Sequence, residues 1–472
     1  MYHFYKDLIR FRKRIVSTYS TFISPYSNVF MNNKRLWFWS VTVALGGFLF
    51  GFDTAVISGA EQTIQDVWQL SAVQHGFTVS IALIGTVFGA LFGGLPSDRL
   101  GRQKTLFWIA VLYLVSALGS ALATDWYIFL FSRFIGGLGV GASSVAAPMY
   151  ISEISPPESR GKLVALFQFN IVFGILIAYL SNYLIADVGE NAWRWMLGVE
   201  AFPALAFLIM ILFVPESPRW LILKRNEVEQ ARDILMQIDP ERADAEVQAI
   251  QNTSVPVGTK QAAFFSKKYS WPITLAVLFA LFNQMSGINA IIYYAPRIFE
   301  MTGLGASTAL LSSAGIGLVN FIATLVGLSL IDRVGRRTLM LVGSFGLILT
   351  LGLVARAFFV QSFGMMVPIY LFVYIAFFAF SQGAVIWVFI SEIFPNSVRA
   401  AGQSLGSFTH WFMAAIVAFS FPIIAEALGG GTTFAIFCGM MVLQLLFVWK
   451  MMPETKGKSL EELELDLRYE KA

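Results

Sequence analysis

A chain of 472 residues with 57% hydrophobic and only 13% charged side chains, and a mean hydropathy of +0.67, is too apolar for a soluble globular protein. It reads as an integral membrane protein with many spans. The net charge of +4 follows from where the basic residues sit relative to the bilayer, with anionic lipid headgroups rather than nucleic acid as the contact it favours.

The single cysteine, Cys438, excludes an intrachain disulfide and a cysteine-based metal site. His3, His75 and His410 are too scattered in sequence to suggest a metal cluster. No cofactor or metal is expected.

Residues 1–36 carry Lys6, Arg10, Arg12, Lys13, Arg14, Lys34 and Arg35 without an apolar core of their own, and they lack the short apolar region of a cleavable signal peptide. They read as a cytoplasmic arm. Apolar segments of about 20 residues then fall near 37–59, 74–95, 104–124, 127–151, 164–186 and 194–214. After a connection at 215–270 come 271–299, 307–331, 338–360, 366–391, 401–426 and 431–452. The expected fold is all-α, with twelve transmembrane helices in two six-helix halves, 37–214 and 271–452, joined by a helical linker and followed by a tail, 453–472.

Of the 33 Lys and Arg residues, only Arg133, Arg194, Arg297 and Arg356 lie within spans or on the second side. The positive-inside rule therefore places both termini and the linker in the cytoplasm. Within the linker, Glu227 to Ile238 and Glu241 to Gln251 have the composition of short surface helices.

The first span holds a carboxylate, Asp53. On insertion scales an unpaired charge at the bilayer centre costs roughly 2.5 to 3.5 kcal/mol, so Asp53 needs a partner, a proton or water. The fourth span offers Arg133, beside Gly136, Gly137, Gly139 and Gly141, which permit close helix approach. Two readings stand side by side: a permanent salt bridge, or a proton switch in which a small change of access loads or releases a proton. The fifth span contributes Gln168 and Asn170. Glu200 lies a few residues into the sixth, at a depth the sequence leaves open.

The loops on the basic side repeat. Asp98, Arg99 and Arg102 follow the second span, and Asp332, Arg333 and Arg336 follow the eighth, 234 residues on. Glu153 and Arg160 follow the fourth span, Glu392 and Arg399 the tenth. Pro215-Glu216-Ser217-Pro218-Arg219 follows the sixth, and Pro453-Glu454-Thr455-Lys456-Gly457 the twelfth. Paired landmarks at nearly one offset mark an internal duplication, and two parallel halves with a site between them describe an alternating-access carrier. Acids beside fixed arginine forks suit charge-assisted locks between helix ends.

The seventh span carries Asn283, Gln284, Ser286, Gly287, Asn289, Tyr293 and Tyr294 within an apolar run. Amides at membrane depth need partners, so they face a polar cavity or glue helices together. Their clustering favours a cavity, and uncharged donors and acceptors suit a neutral polyhydroxylated ligand. Read as one straight helix, Asn283, Gly287 and Ala290 share a face. Asn320, Gln382, Trp387, His410 and Trp411 add polar and aromatic groups from later spans. An indole deep in its span suits the C–H face of a sugar ring.

From about Phe38 to Gly457 these motifs resemble the sugar porter family of the major facilitator superfamily. They are Gly94 to Arg102, Arg133-Phe134-Ile135-Gly136-Gly137, Pro215 to Arg219, Gln284-Met285-Ser286-Gly287-Ile288-Asn289, Asp332 to Arg337, and Pro453 to Gly457. The resemblance implies that Gln168, Gln284, Asn289, Asn320 and Trp387 contact sugar, with Tyr293, Phe50 and Trp411 lining or gating the cavity. Asn283 and His410 complete the expected substrate set.

Asp53 stands where proton-coupled members carry Asp and facilitative ones Asn, which implies symport, with Arg133 as its partner and Glu200 in a charge relay. Departures are Asn283 in place of a Gln, Ile175 in place of a Gln found in xylose symporters, His410 in place of an amide, and Gly383-Ala384 in place of the tenth-span Gly-Pro. The expectation is a proton-coupled importer of a hexose or pentose, monomeric, in the bacterial inner membrane. The alternatives are a facilitative uniporter and a non-transporting sugar sensor. No phosphate loop, metal set or nucleophile and base arrangement points to an enzyme.

Overall fold

The computed structural model describes residues 34–156, 159–252, 264–363, 366–395, 398–458 and 462–463. The arm over 1–33 and the end of the tail from 464 lie outside the described residues. Among the described residues the chain is helical and holds no strand.

The first half is α1 (Lys34–Val67), α2 (Ala72–Phe92), α3 (Arg102–Leu122), α4 (Trp126–Ile154), α5 (Arg160–Ile185) and α6 (Ala192–Phe213). The second opens with α7 (Lys267–Tyr293), α8 (Ala306–Val334), α9 (Arg336–Phe359) and α10 (Met366–Glu392). The last helical run, Arg399–Lys450, counts 52 residues, about 78 Å at 1.5 Å per residue, more than twice a bilayer core. Gly429, at φ 77° and ψ 161°, divides it into α11 (399–428) and α12 (430–450). Twelve spans result, as the hydropathy pattern predicts.

Local chemistry sets the boundaries. Ser71 and Gln74 form a reciprocal capping box at the start of α2, and the Asp125 side chain accepts from the backbone N–H of Tyr127 and Ile128 at the start of α4. The helices inside each half approach closely. A Cβ on Gly137 would lie 1.9 Å from the Ala82 carbonyl oxygen of α2, and one on Gly51 would lie 1.9 Å from the Ile171 carbonyl oxygen of α5. The glycine run on α4 therefore does what its sequence suggests.

Two breaks shape the centre. Gly287 takes φ 84°, ending Ser270–Met285 before Ile288–Tyr293 begins. Asn283, Gly287 and Ala290 thus do not share the face of one straight helix. In α10 the backbone widens to a π turn over Ala379–Gly383. This distortion falls where the sequence has Gly383-Ala384 without a proline, so a widened turn shapes the helix there.

The linker helices Val228–Ile238 and Ala243–Asn252 lie within two residues of their expected bounds and pack through Ala231, Ile234, Leu235, Val247 and Ile250. Trp220 Nε1 donates to the Asp98 carbonyl at 2.9 Å, and Arg35 to Gln237 at 2.7 Å, fastening the linker to the first half.

Candidate functional site

Three groups of side chains stand out. The first is the amide and aromatic cluster around the α7 break. Asn289 Nδ2 donates to Gln284 Oε1 at 2.6 Å, and Gln284 Nε2 donates to Asn283 Oδ1 at 3.0 Å and lies 3.1 to 3.2 Å from the His410 ring nitrogens. Asn283 Nδ2 reaches the Gln382 carbonyl in the π turn at 3.5 Å. Each amide is thereby oriented before a ligand arrives, which lowers the ordering cost of binding.

The His410 ring lies against two indoles, 4.9 Å from Trp387 and 4.8 Å from Trp411, and Trp411 meets Phe50 of α1 at 5.4 Å. The cluster therefore touches both halves. Trp387 keeps 37% of its surface exposed, leaving an apolar face for a ring to lie on. Gln168 on α5 and Asn320 on α8 have no protein hydrogen-bond partner among the described residues. Their helices meet where Phe169 packs on Phe321.

The second group is charged and buried. Asp53 of α1 and Arg133 of α4 pair through Oδ1 and Nη1, each with 2% exposure, and Arg133 Nη2 also reaches the Asp53 carbonyl at 3.2 Å. Glu200, also 2% exposed, lies beside Asp53. The question of its depth is answered: it sits with the ion pair, away from the basic face. Two carboxyl groups thus lie side by side next to one guanidinium, all three buried. Tyr293 lies near Thr54, the residue after Asp53, and its segment Ile288–Tyr293 packs on α1, so the α7 segment bearing Asn289 adjoins the charged site.

The third group lies at the basic face. Arg102 grips Glu153 through Nε and Nη2, both at 3.0 Å, and reaches Asp98 at 3.1 Å. Arg336 grips Glu392 at 3.2 and 2.8 Å and Asp332 at 3.0 Å. Each lock closes within its own half. Arg99, Arg160, Arg333 and Arg399 form no carboxylate pair among the described residues. Arg160 and Arg399 hydrogen-bond the Ser155 and Phe394 carbonyls, Arg99 is exposed, and the Arg333 carbonyl accepts from Lys456.

Sequence reasoning treated Glu216 and Glu454 only as landmarks of the repeat. They accept from the backbone N–H of Arg102 and Arg336 at 2.7 and 2.9 Å, and their matched positions in the two motifs were the signal. Burial pushes the Glu216 carboxyl up from its ordinary value, while the N–H groups of Ser217, Gln103 and Arg102 pull it back. Also missed was a cluster at the opposite face, Glu61, His75 and Arg297, which no single span reveals. No group of three His, Cys, Asp or Glu among the described residues is placed to hold a metal.

A paired-half bundle with a buried polar cluster touching both halves defines a membrane carrier. Residues 39–467 match the family model described as sugar (and other) transporter, and the chain belongs to that family, one of transporters and not of enzymes. It is 38% identical to the glucose transporter GlcP of Staphylococcus epidermidis over 92% of this chain and 98% of that protein. It is 37% identical to the D-xylose-proton symporter of Escherichia coli over 93% and 96%. The inward-open structure of the xylose transporter XylE from E. coli superposes with a TM-score of 0.82 at 36% identity, over 91% of this chain and 99% of that one. The twelve helices have the major facilitator arrangement.

Proposed function

We propose that this protein imports a monosaccharide, a hexose or pentose, together with a proton by alternating access. One observation carries the reading: the α7 segment Ile288–Tyr293, which bears Asn289, packs on α1, with Tyr293 near Thr54 beside the Asp53, Arg133 and Glu200 cluster. Sugar bound at the amides and a proton held at the carboxyls then bias one shared piece of backbone, which is the physical requirement for coupling. The relatives named for glucose and for D-xylose with a proton support the same substrate class.

In this reading Gln168, Asn283, Gln284, Asn289, Asn320 and His410 hydrogen-bond the sugar hydroxyls. Phe50, Trp387, Trp411 and Tyr293 line the cleft. Asp53 takes the proton, Arg133 holds it near release, and Glu200 shares it.

The Arg102 and Arg336 locks stiffen the ends of each half, with Asp98, Glu153, Asp332 and Glu392 as their acids. The skew of basic residues to one face supports a cell-membrane protein, bacterial inner membrane by type, with both termini cytoplasmic and lipid headgroups around the basic face. A monomer suffices, since both halves of the site lie in one chain.

The test is uptake of radiolabelled glucose, xylose and galactose into proteoliposomes, with and without an imposed proton gradient, for wild type and Asp53→Asn. Gradient-driven accumulation lost in the variant while sugar exchange persists supports symport. Equal downhill flux in both proteins, indifferent to the gradient, makes this a uniporter with a structural ion pair, the reading that the fully formed Asp53 and Arg133 contact also suits.

A further inference from the structure

Two halves that rock about a central site need a closure at each face. The Arg102 and Arg336 locks lie within their own halves, so they do not join the two. At the opposite face a charged cluster does. Glu61 of α1 accepts from Arg297 Nε at 3.0 Å and Nη2 at 2.9 Å, a bidentate fork between the first half and the second. Arg297 Nη2 also donates to Gln65 Oε1 at 2.6 Å. His75 Nε2 of α2 lies 2.7 Å from Glu61 Oε2, both side chains wholly buried.

The same stretch of the second half is fastened on either side. The Tyr179 hydroxyl of α5 donates to the Ile292 carbonyl at 2.6 Å, and the Tyr294 hydroxyl donates to the Ala418 carbonyl of α11 at 2.9 Å. The Tyr294 ring meets His75 edge-on at 5.8 Å.

We propose that Glu61 and Arg297 form the latch that closes this face in the transport cycle, with His75 as the positioning residue that holds the Glu61 carboxylate in its bidentate geometry. The inference rests on the alternating-access reading. A buried pair gains strong attraction but sacrifices the hydration of both ions. Arg297 keeps 26% of its side chain exposed while Glu61 has none, so opening returns water to the fork and replaces what separation loses. Such a contact closes the face without holding it shut permanently, as a reversible gate requires. The cluster also explains two wholly buried ionisable residues, Glu61 and His75, that the proposed sugar and proton sites leave unused.

The test places one reporter cysteine in full-length protein carrying Cys438→Ser. Ser58→Cys lies one turn below Glu61, and Gln168→Cys lies on the cleft side. Each is labelled with a membrane-impermeant maleimide, Ser58→Cys from the latch side of oriented membrane vesicles and Gln168→Cys from the basic side. Glu61→Gln and Arg297→Met are expected each to raise labelling of Ser58→Cys by about tenfold and to slow labelling of Gln168→Cys. Together they should do no more than either alone, because they break one shared contact. Arg297→Lys, which keeps the charge and loses the fork, should fall between.

Faster labelling at both reporters signals a loosened fold and overturns the proposal, as do unchanged labelling and strictly additive effects. His75→Ala should reproduce part of the Ser58→Cys increase in wild type and none in Glu61→Gln; an increase in both would remove it from the latch. Labelling needs no sugar. A latch that responds as expected in a protein that moves no sugar would sink the transport reading alone.

Discussion

Arg102 and Arg336 stand 234 residues apart and make the same five polar contacts. Each donates its backbone N–H to a glutamate after the sixth span of its half, Glu216 or Glu454. Each grips a second glutamate with two guanidinium nitrogens, Glu153 or Glu392, and an aspartate four residues back, Asp98 or Asp332. Each also reaches a carbonyl five residues back, Ser97 or Ile331. Even the hydroxyl on the gripped glutamate is repeated, as Ser217 on Glu153 and Thr455 on Glu392.

Because each lock closes inside one half, neutralising them should act independently. Glu153→Gln and Glu392→Gln are each expected to cost about 1.5 to 3 kcal/mol, the range for a hydrogen bond to a charged group. The double variant should lose the sum within about 0.5 kcal/mol. Thermal unfolding of detergent-solubilised protein reads this, and strong coupling between the two would mean the locks span the halves after all.

The hydropathy pattern made the twelve helices legible in the sequence, and the repeated motifs pointed to Arg102 and Arg336 and to the acids around them. What stayed hidden was whatever depends on a partner from a distant span. Glu61 and Arg297 lie 236 residues apart and share no motif, so their pairing has no signature along the chain. The α7 break was hidden for a different reason. Gly287 permits φ 84° but does not demand it, and an apolar run reads as one helix whether or not its middle is broken. Glu200 was visible, yet its depth followed only from where α6 packs against α1 and α3.

The close packing of α1 on α5 supplies a stability test. Gly51→Ala would set a methyl 1.9 Å from the Ile171 carbonyl oxygen, forcing the helices apart at a cost of about 1 to 3 kcal/mol, the range for overpacking. Gly161 in the first turn of α5 has nothing within 4 Å of its Cβ position, so Gly161→Ala should be neutral or stabilising by up to about 1 kcal/mol. Parallel melting curves of the two variants check the contrast, and equal effects would mean α1 and α5 are not in contact as described.

A pH signature belongs to Glu216. Burial raises its carboxyl from an ordinary value of 4.5, outweighing three backbone N–H groups. A raised carboxyl means that the folded state binds the proton more tightly than the unfolded one. Its stabilising contribution is therefore complete below that ordinary value and is lost as pH rises through the higher folded one. Glu216→Gln keeps an acceptor for Arg102 and removes the titration. The stability difference, wild type minus variant, should fall with rising pH across the weakly acidic range, and a difference that rises with pH would reverse the assignment.

At the amide cluster, Gln284 both donates toward Asn283 and His410 and accepts from Asn289. Removing it leaves several buried polar groups without a partner as well as deleting a ligand contact. Gln284→Ala should therefore weaken sugar binding by more than Asn320→Ala, whose amide has no protein partner to abandon. A loss of about 1 to 3 kcal/mol, tenfold to a hundredfold in affinity, is expected for Gln284→Ala. Equilibrium binding of labelled sugar to solubilised protein decides, and unaltered affinity in Gln284→Ala would place the sugar elsewhere.

The link between the two sites is tested at Tyr293, which lies near Thr54 beside Asp53 while its own helix carries Asn289. Tyr293→Phe keeps the ring packing, since the residue is buried, and removes the oxygen. Sugar exchange under zero gradient should stay within about a factor of ten of wild type, the span of one ordinary hydrogen bond. The steady ratio of internal to external sugar under a fixed proton gradient should collapse toward one, because the charged cluster no longer reports its protonation to the α7 segment. If accumulation in Tyr293→Phe matches wild type, coupling runs by another route, and the contact between Thr54 and Tyr293 is only packing.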